Sequence, residues 1–308
     1  MDAIESVAQV VDPHHGDDVM VLSGRSPHGR FQAFLTDTLS QEALRALRTD
    51  LQRGPQAVGL LQAGVQAVEA RLRRVHVDPS RPTVSIASHG GARRVANLVP
   101  LVAGLAAIAG VQVVVHGIGE ACGRTTTARI MKAMGLLCPP ELALARGDPA
   151  FVPVAALWPG LASMLERRGR IGQRALAGML AQLVDPTDSP RCLIVACNAH
   201  PGGAALQRAY FRASGRSALL LRGTEGEAVV DARQGQPIDW VHDGGAERLD
   251  ARGAVHGGSP LPDPGDASAT ARWIQSVLAG ERPVPLAIAH QVAALLQAAG
   301  TRPAAVGP

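Results

Sequence analysis

The sequence predicts an α/β protein made of a small helical domain and a large α/β domain with a central, mostly parallel sheet. Three observations predict it. Apolar, β-branched runs alternate with helical segments from Thr83 onward, the pattern of a parallel sheet covered on both faces. Two helical segments in succession, WPGLASMLERRGRIGQR and ALAGMLAQLVDP, interrupt that alternation with no strand between them. Helical periodicity without strands also fills the stretch that precedes the sheet.

Taken in order, the first residues through HHGDDVMVLSGRSPHGR have no clear period, and His14 and His15 beside Asp17 and Asp18 are not expected to form a metal site. Helical periodicity begins near Phe31 in FQAFLTDTLSQEALRALRTDL and resumes after Gly54 and Pro55 in QAVGLLQAGVQAVEARLRRV. The two prolines of VHVDPSRP mark the passage into the sheet. There RPTVSIASHGG reads as a strand ending in glycines, and ARRVANLVPLVAGLAAIAG as a long apolar helix with Arg93 and Arg94 in its first turn. Strand VQVVVHG, a helix through TTTARIMKAMGL and a short strand at FVPVAAL follow. The helical pair then leaves the sheet and is expected to pack on the N-terminal helices. The sheet resumes with CLIVACN, helix GAALQRAYFRASG, strand SALLLRG and the β-like pieces AVVDA and PIDWVHD, before TARWIQSVLAG and PLAIAHQVAALLQAAG close it as helices. The small domain therefore comprises residues 1–76 completed by about 159–187, and the large one 77–158 and 188–308. There is no internal repeat.

Composition narrows the function classes. With 308 residues and 46% hydrophobic content the chain can bury a sizeable core, while with 3% aromatics base stacking is not the main binding device expected. The opening MDAIESVAQ lacks a secretory pattern, and Asn97, Pro100, Gly110 and Gln112 interrupt the apolar stretch from Val95 to Val115, so neither secretion nor a membrane span is expected. Cys122, Cys138, Cys192 and Cys197 form no CxxC pair, which fits reduced thiols in a cytoplasm. Residues 81–224 hold 16 basic and 6 acidic side chains, against 8 and 10 before them and 6 and 10 after. A basic block between acidic flanks points to a polyanion or a phosphorylated ligand.

The strand, glycine turn and helix at 83–110 outline an anion site, because glycines let the backbone approach a ligand and unpaired N–H groups face it. Ser88, His89, Gly90, Gly91, Arg93, Arg94, Asn97, His116 and Gly117 are the candidate phosphate-binding residues. His89 and His116 end the two strands and are also candidates for acid–base work or, when protonated, for phosphate. HGIGEACG spaces its glycines as GxGxxxG, only loosely like a dinucleotide fingerprint, and there is no Walker loop. Ser163, Ser217 and Cys197 have no nucleophile context. Arg124, Arg129 and Lys132 form one basic stretch, and Arg167, Arg168, Arg170 and Arg174 another whose crowding calls for a compensating anion. Glu225 and Glu227 are weak candidates for a metal; no metal is otherwise expected.

SHGGARRVANLVPLVAGL, VVVHGIGEACGRTTTARIMKAMG, FVPVAALWPGLASMLERRGRIGQR and LLRGTEGEAVVDARQGQPI, in that order, resemble the anthranilate phosphoribosyltransferases, most closely their YbiB-like nucleic-acid-binding branch, from about Gly54 to Gly300. The resemblance implies the anthranilate type of phosphoribosyltransferase fold, with dimerisation through the helical domain. Enzymes of that family hold a diphosphate on a GTGGD loop, which reads SHGGARR here from Ser88 to Arg94 and lacks the aspartate. Their KHGN turn corresponds to Val115, His116, Gly117 and Ile118, and their metal-holding DGLDE element to TEGEA from Thr224 to Ala228, with acids only at Glu225 and Glu227.

The departures remove groups that a magnesium-bound diphosphate needs. The leading expectation is a non-enzymatic, weakly selective DNA- or RNA-binding homodimer that uses no cofactor and contacts phosphates through Arg93, Arg94, Arg124, Arg129, Lys132 and the cluster Arg167, Arg168, Arg170 and Arg174. The alternatives are a transferase that uses phosphoribosyl pyrophosphate, magnesium and an acceptor other than anthranilate, and a sensor of a small phosphorylated ligand.

Overall fold

The computed structural model describes residues 26–144, 147–167, 170–198, 201–249 and 260–300; Arg168, residues 1–25 and the chain after Gly300 lie outside them. Strands β1 (Thr83–Ser88), β2 (Gln112–Gly117), β3 (Ala150–Pro153), β4 (Cys192–Cys197) and β5 (Ala218–Leu221) run parallel, and β6 (Ile238–His242) and β7 (Gly245–Leu249) add an antiparallel hairpin. The seven strands form one sheet in the order β3-β2-β1-β4-β5-β6-β7. All six residues of β1 and of β2 are buried, as expected of near-continuous apolar strands covered on both faces.

Alternate residues of each strand serve different cores. Val84, Ile86, Val113 and Val115 face α4 (Val99–Ile108), α5 (Thr127–Ala133), α10 (Ala267–Leu278) and α11 (Leu286–Ala298), which supply Leu101, Ile130, Ile274 and Leu295. Val114, Ile194, Ala196 and Leu220 face the other way, toward the core built by α1 (Pro27–Leu35), α2 (Gln41–Arg53), α3 (Ala57–Glu69), α7 (Pro159–Glu166), α8 (Ile171–Ala181) and α9 (Pro201–Ser214). Burying one such aliphatic side chain contributes about 1.5–3 kcal/mol. The helical pair packs as its interruption of the alternation predicts, with α8 against α2 and α3.

Several local expectations are corrected. The apolar helix begins at Val99, so Arg93 and Arg94 stand in the loop before it and not in its first turn. Pro100 sets that start, since proline has no N–H to give and suits the first helical turn, and the Asn97 side chain accepts from the Val99 amide at 3.2 Å. The single periodic stretch from Phe31 divides into α1 and α2 at Asp37, whose positive φ of 57° no helix contains. FVPVAAL splits into β3 and the one-turn helix α6 (Val154–Leu157). AVVDA forms no strand, because the Gln291 side chain takes up its backbone groups, accepting from the Val230 amide and donating to the Ala228 carbonyl, both at 2.9 Å, and β7 is a strand that the alternation did not announce. Its burial is slight, so it carries little apolar pattern. No described helix is long and apolar enough to cross a membrane.

Candidate functional site

The strand order reverses between β1 and β4, the position at which open α/β sheets place their ligand crevice, beyond the carboxyl ends of the strands. Three connections meet there: the loop 88–98 after β1, the loop 118–126 after β2 and the turn 224–227 after β5. The parallel register sets Ala87 opposite His116 and Ser88 opposite Gly117. Gly117 is required by that approach, since a Cβ on it would lie 1.7 Å from the carbonyl oxygen of Ser88. The first two loops are tied by a two-way backbone pair, with the Ala92 amide donating to Thr125 at 3.0 Å and the Thr125 amide to Ala92 at 2.8 Å.

The loop after β1 does present its N–H groups as an anion site would, and the chain fills it with its own carboxylates. Glu227, fully buried, accepts from the Gly90 amide at 2.9 Å, from the Gly91 amide and from the Ser88 hydroxyl. Glu225 accepts from the amides of Arg93 and Arg94, the latter at 3.0 Å, and from the Arg94 guanidinium Nε at 3.1 Å. Both acids stand on one tight turn, closed by hydrogen bonds of 3.0 Å in each direction between Thr224 and Glu227. Its central residues, Glu225 and Gly226, have φ of 54° and 89°, the signs of a type I′ turn. A glutamate in that region costs about 1 kcal/mol, so the contacts of Glu225 offset a local strain.

Burial pushes the Glu227 carboxyl up to about 6, against the pull of Ser88, Gly91 and Gly90, and leaves it ionised at neutral pH. Burial also raises Glu225, but the Arg93 and Arg94 amides and the Arg94 guanidinium outweigh it and hold that carboxyl below the usual range. Burial pushes the Cys197 thiol up, and the thiol donates to the Gly226 carbonyl at 3.3 Å under the turn.

The sequence candidates fall into three places. Ser88 and Asn97 form a buried cluster with Thr127: its hydroxyl lies 2.7 Å from that of Ser88 and accepts from Asn97 Nδ2 at 2.9 Å. Sequence reasoning missed Thr127, although TTTAR before a helix offered caps, and Thr126 takes that role by accepting from the Arg129 amide at 3.3 Å. His89 and His116 lie with ring centroids 5.4 Å apart. Burial takes His89 down to about 4, with the backbone of Ala181 offsetting part of the fall, and burial beside His89 takes His116 well below its usual value. Both rings are therefore neutral near pH 7.

Arg93, Arg124 and Arg129 line one open cleft of about 490 Å³ together with Glu120, Cys122 and Gly265. Arg124 is half buried and donates to the Gly91 carbonyl at 2.8 Å, while Arg93, Arg94, Arg129 and Lys132 are exposed. Arg167 and Arg170 are elsewhere: both donate to the Asp37 carboxylate, Arg170 at 3.0 Å, and Gln173 joins them at 2.8 Å. The Arg167 hydrogen bond holds that carboxyl below its usual range. The anion that this crowded segment calls for is thus present in the chain. Arg167 ends α7, so the cluster spans an interhelical link and not one helix. Arg174 is exposed on α8.

The fold agrees with comparisons to known proteins. The chain is 36% identical over 224 residues to the uncharacterized protein YbiB of Escherichia coli K12, a match covering 70% of this chain and 69% of that one. The chain belongs to the anthranilate phosphoribosyltransferase-like family. The anthranilate phosphoribosyltransferase of a Polaromonas species is 25% identical over 199 residues, 62% of this chain and 57% of that enzyme. The crystal structure of the Thermus thermophilus anthranilate phosphoribosyltransferase superposes with a TM-score of 0.70 at 21% identity, covering 93% of this chain and 89% of that one, which shows the shared fold. The Saccharomyces cerevisiae enzyme in complex with phosphoribosyl pyrophosphate and magnesium superposes with a TM-score of 0.64 at 15% identity, covering 90% and 85%. No protein-family model matches the sequence.

The magnesium in that yeast complex provides a test of the residues that stand here. They do not fit it: the carboxylates of Glu225 and Glu227 are directed at N–H and O–H donors, an environment for anions. Among the described residues no three His, Cys, Asp or Glu side chains gather as a metal site would require.

Proposed function

We propose that this member of the anthranilate phosphoribosyltransferase-like family binds nucleic acid without reading its sequence, as a cytoplasmic homodimer that grips phosphates with arginine side chains. One observation carries the reading. Arg93 from the loop after β1, Arg124 from the loop after β2 and Arg129 from α5 converge on one open cleft. Lys132 lies one turn beyond Arg129 on the same helix. Guanidinium groups suit phosphate oxygens, and contacts of that kind hold a nucleic-acid backbone while leaving base edges unread. The basic excess of residues 81–224 supplies the long-range field that draws a polyanion in.

Fluorescence anisotropy of labelled single-stranded and double-stranded DNA across a salt series tests it. Affinity is expected to fall steeply with salt, and each alanine at Arg93, Arg129 or Lys132 to reduce the log–log slope by about 1 for every base sequence alike. An Arg93→Glu/Arg129→Glu variant that binds as tightly as the wild-type protein rejects this cleft as the interface. Light scattering reads the dimer.

The likeness to anthranilate phosphoribosyltransferases, with 25% identity to the Polaromonas enzyme, favours a second reading. On that reading the protein transfers phosphoribose to an acceptor other than anthranilate. Calorimetric heat on adding phosphoribosyl pyrophosphate that requires magnesium supports it, and the lack of heat with the metal removes it.

A further inference from the structure

We propose that the turn 224–227 is an internal anion: its two carboxylates close the Gly90–Arg94 amide cradle to free phosphates, and withdrawing them opens that cradle to an inorganic diphosphate. Four backbone amides of one loop point at two acidic groups, those of Gly90 and Gly91 at Glu227 and those of Arg93 and Arg94 at Glu225. The Ser88 hydroxyl and the Arg94 guanidinium complete the two sets. Carboxylate and phosphoryl oxygens make the same demand on N–H donors, so one donor set serves one anion at a time.

The turn lies directly on the loop, for a Cβ on Gly90 would sit 3.2 Å from the Glu225 carbonyl and 3.4 Å from the Glu227 carboxylate. Being part of the chain, the two acids compete at a high effective concentration, and a small anion in solution must displace them. Glu225 adopts its left-handed backbone with a residue that has no preference for it, which fits a turn shaped for the contact its side chain makes. The disagreement with a magnesium–diphosphate site is then a positive feature: the acids have the role of the ligand.

The test is isothermal titration with sodium pyrophosphate in chelator, on the full chain. The wild-type protein is expected to give no heat, and a Glu225→Ala/Glu227→Ala variant to bind at least about tenfold more tightly. Glu225→Asn keeps a residue that tolerates the left-handed backbone and shortens the side chain out of reach, so it opens the Arg93 and Arg94 amides if the double variant fails to fold. Pyrophosphate binding as tight by wild type as by the variants overturns the inference, and so does its absence in a Glu225→Asn protein with an unchanged circular dichroism spectrum. The inference stands apart from nucleic-acid binding, because it concerns backbone amides and its probe is pyrophosphate; failure of the DNA titration leaves it intact.

Discussion

Glu227 accepts a hydrogen bond from the Gly90 amide at 2.9 Å across 137 residues of sequence, and with it the loop after β1 is fastened to the turn after β5. That single contact joins two elements singled out in the sequence, the glycine loop and the acidic TEGEA turn.

Replacing Glu227 by Gln is expected to destabilise the fold by about 2 kcal/mol, because it exchanges the charged acceptor shared by Ser88, Gly90 and Gly91 for a neutral one. Urea denaturation followed by circular dichroism measures it. Glu227→Ala should cost more, since it leaves Ser88, Gly90 and Gly91 without this partner.

Stability should rise with pH between about 4 and 6.5. His89 and His116 stay neutral in the fold while the unfolded chain takes up two protons below the ordinary histidine value of 6.5, so acid favours unfolding. Glu227 acts in the opposite sense between 4.5 and about 6, where the folded carboxyl holds a proton that the unfolded one has released. Asp37 and Glu225, whose carboxyls are held low, add stability above their ordinary values and lose it as pH falls further. Glu227→Gln should therefore steepen the rise between 4.5 and 6 by up to about 1.4 kcal/mol per pH unit. Melting temperatures across that range decide it; an unchanged slope would mean that Glu227 is ionised throughout.

Gly117→Ala should destabilise by about 3 kcal/mol, because the new methyl meets the Ser88 carbonyl, a backbone atom of the neighbouring strand that cannot move aside without breaking the register. Thermal melting reads the loss, and a wild-type melting point would contradict the close approach of β1 and β2.

Asp37→Ala should destabilise by about 1 kcal/mol, a figure kept small because the ion pairs to Arg167 and Arg170 are partly exposed and screened. Asp37→Asn should cost less, as asparagine tolerates the positive φ. If Asp37 is the partner this segment needs, Arg167→Glu/Arg170→Glu should lose stability similarly, and a fully stable double variant would show that the pairs contribute nothing.

Much of the fold was legible because its signals are local. VQVVVHG is a strand by its β-branched run and closing glycine, and two helical segments without a strand between them announced the helical pair on α2 and α3. Less was legible at boundaries. Arg93 and Arg94 read as helical because an apolar run follows them, and only the Pro100 start and the pairing of Ala92 with Thr125 show them to be loop residues. The basic stretches looked equivalent in sequence, yet Arg124 and Arg129 meet Arg93 in a cleft whereas Arg167 and Arg170 meet Asp37.

By itself, then, the sequence determined the α/β class, the order of the five parallel strands, the glycine turns and the family, since periodicity, turn residues and motif spacing are properties of neighbours along the chain. The tertiary structure alone decided what the charges do. Whether an arginine or a glutamate faces solvent, a cleft or a backbone amide depends on partners 130 residues away, and electrostatic and hydrogen-bond energies follow that distance in space rather than in sequence.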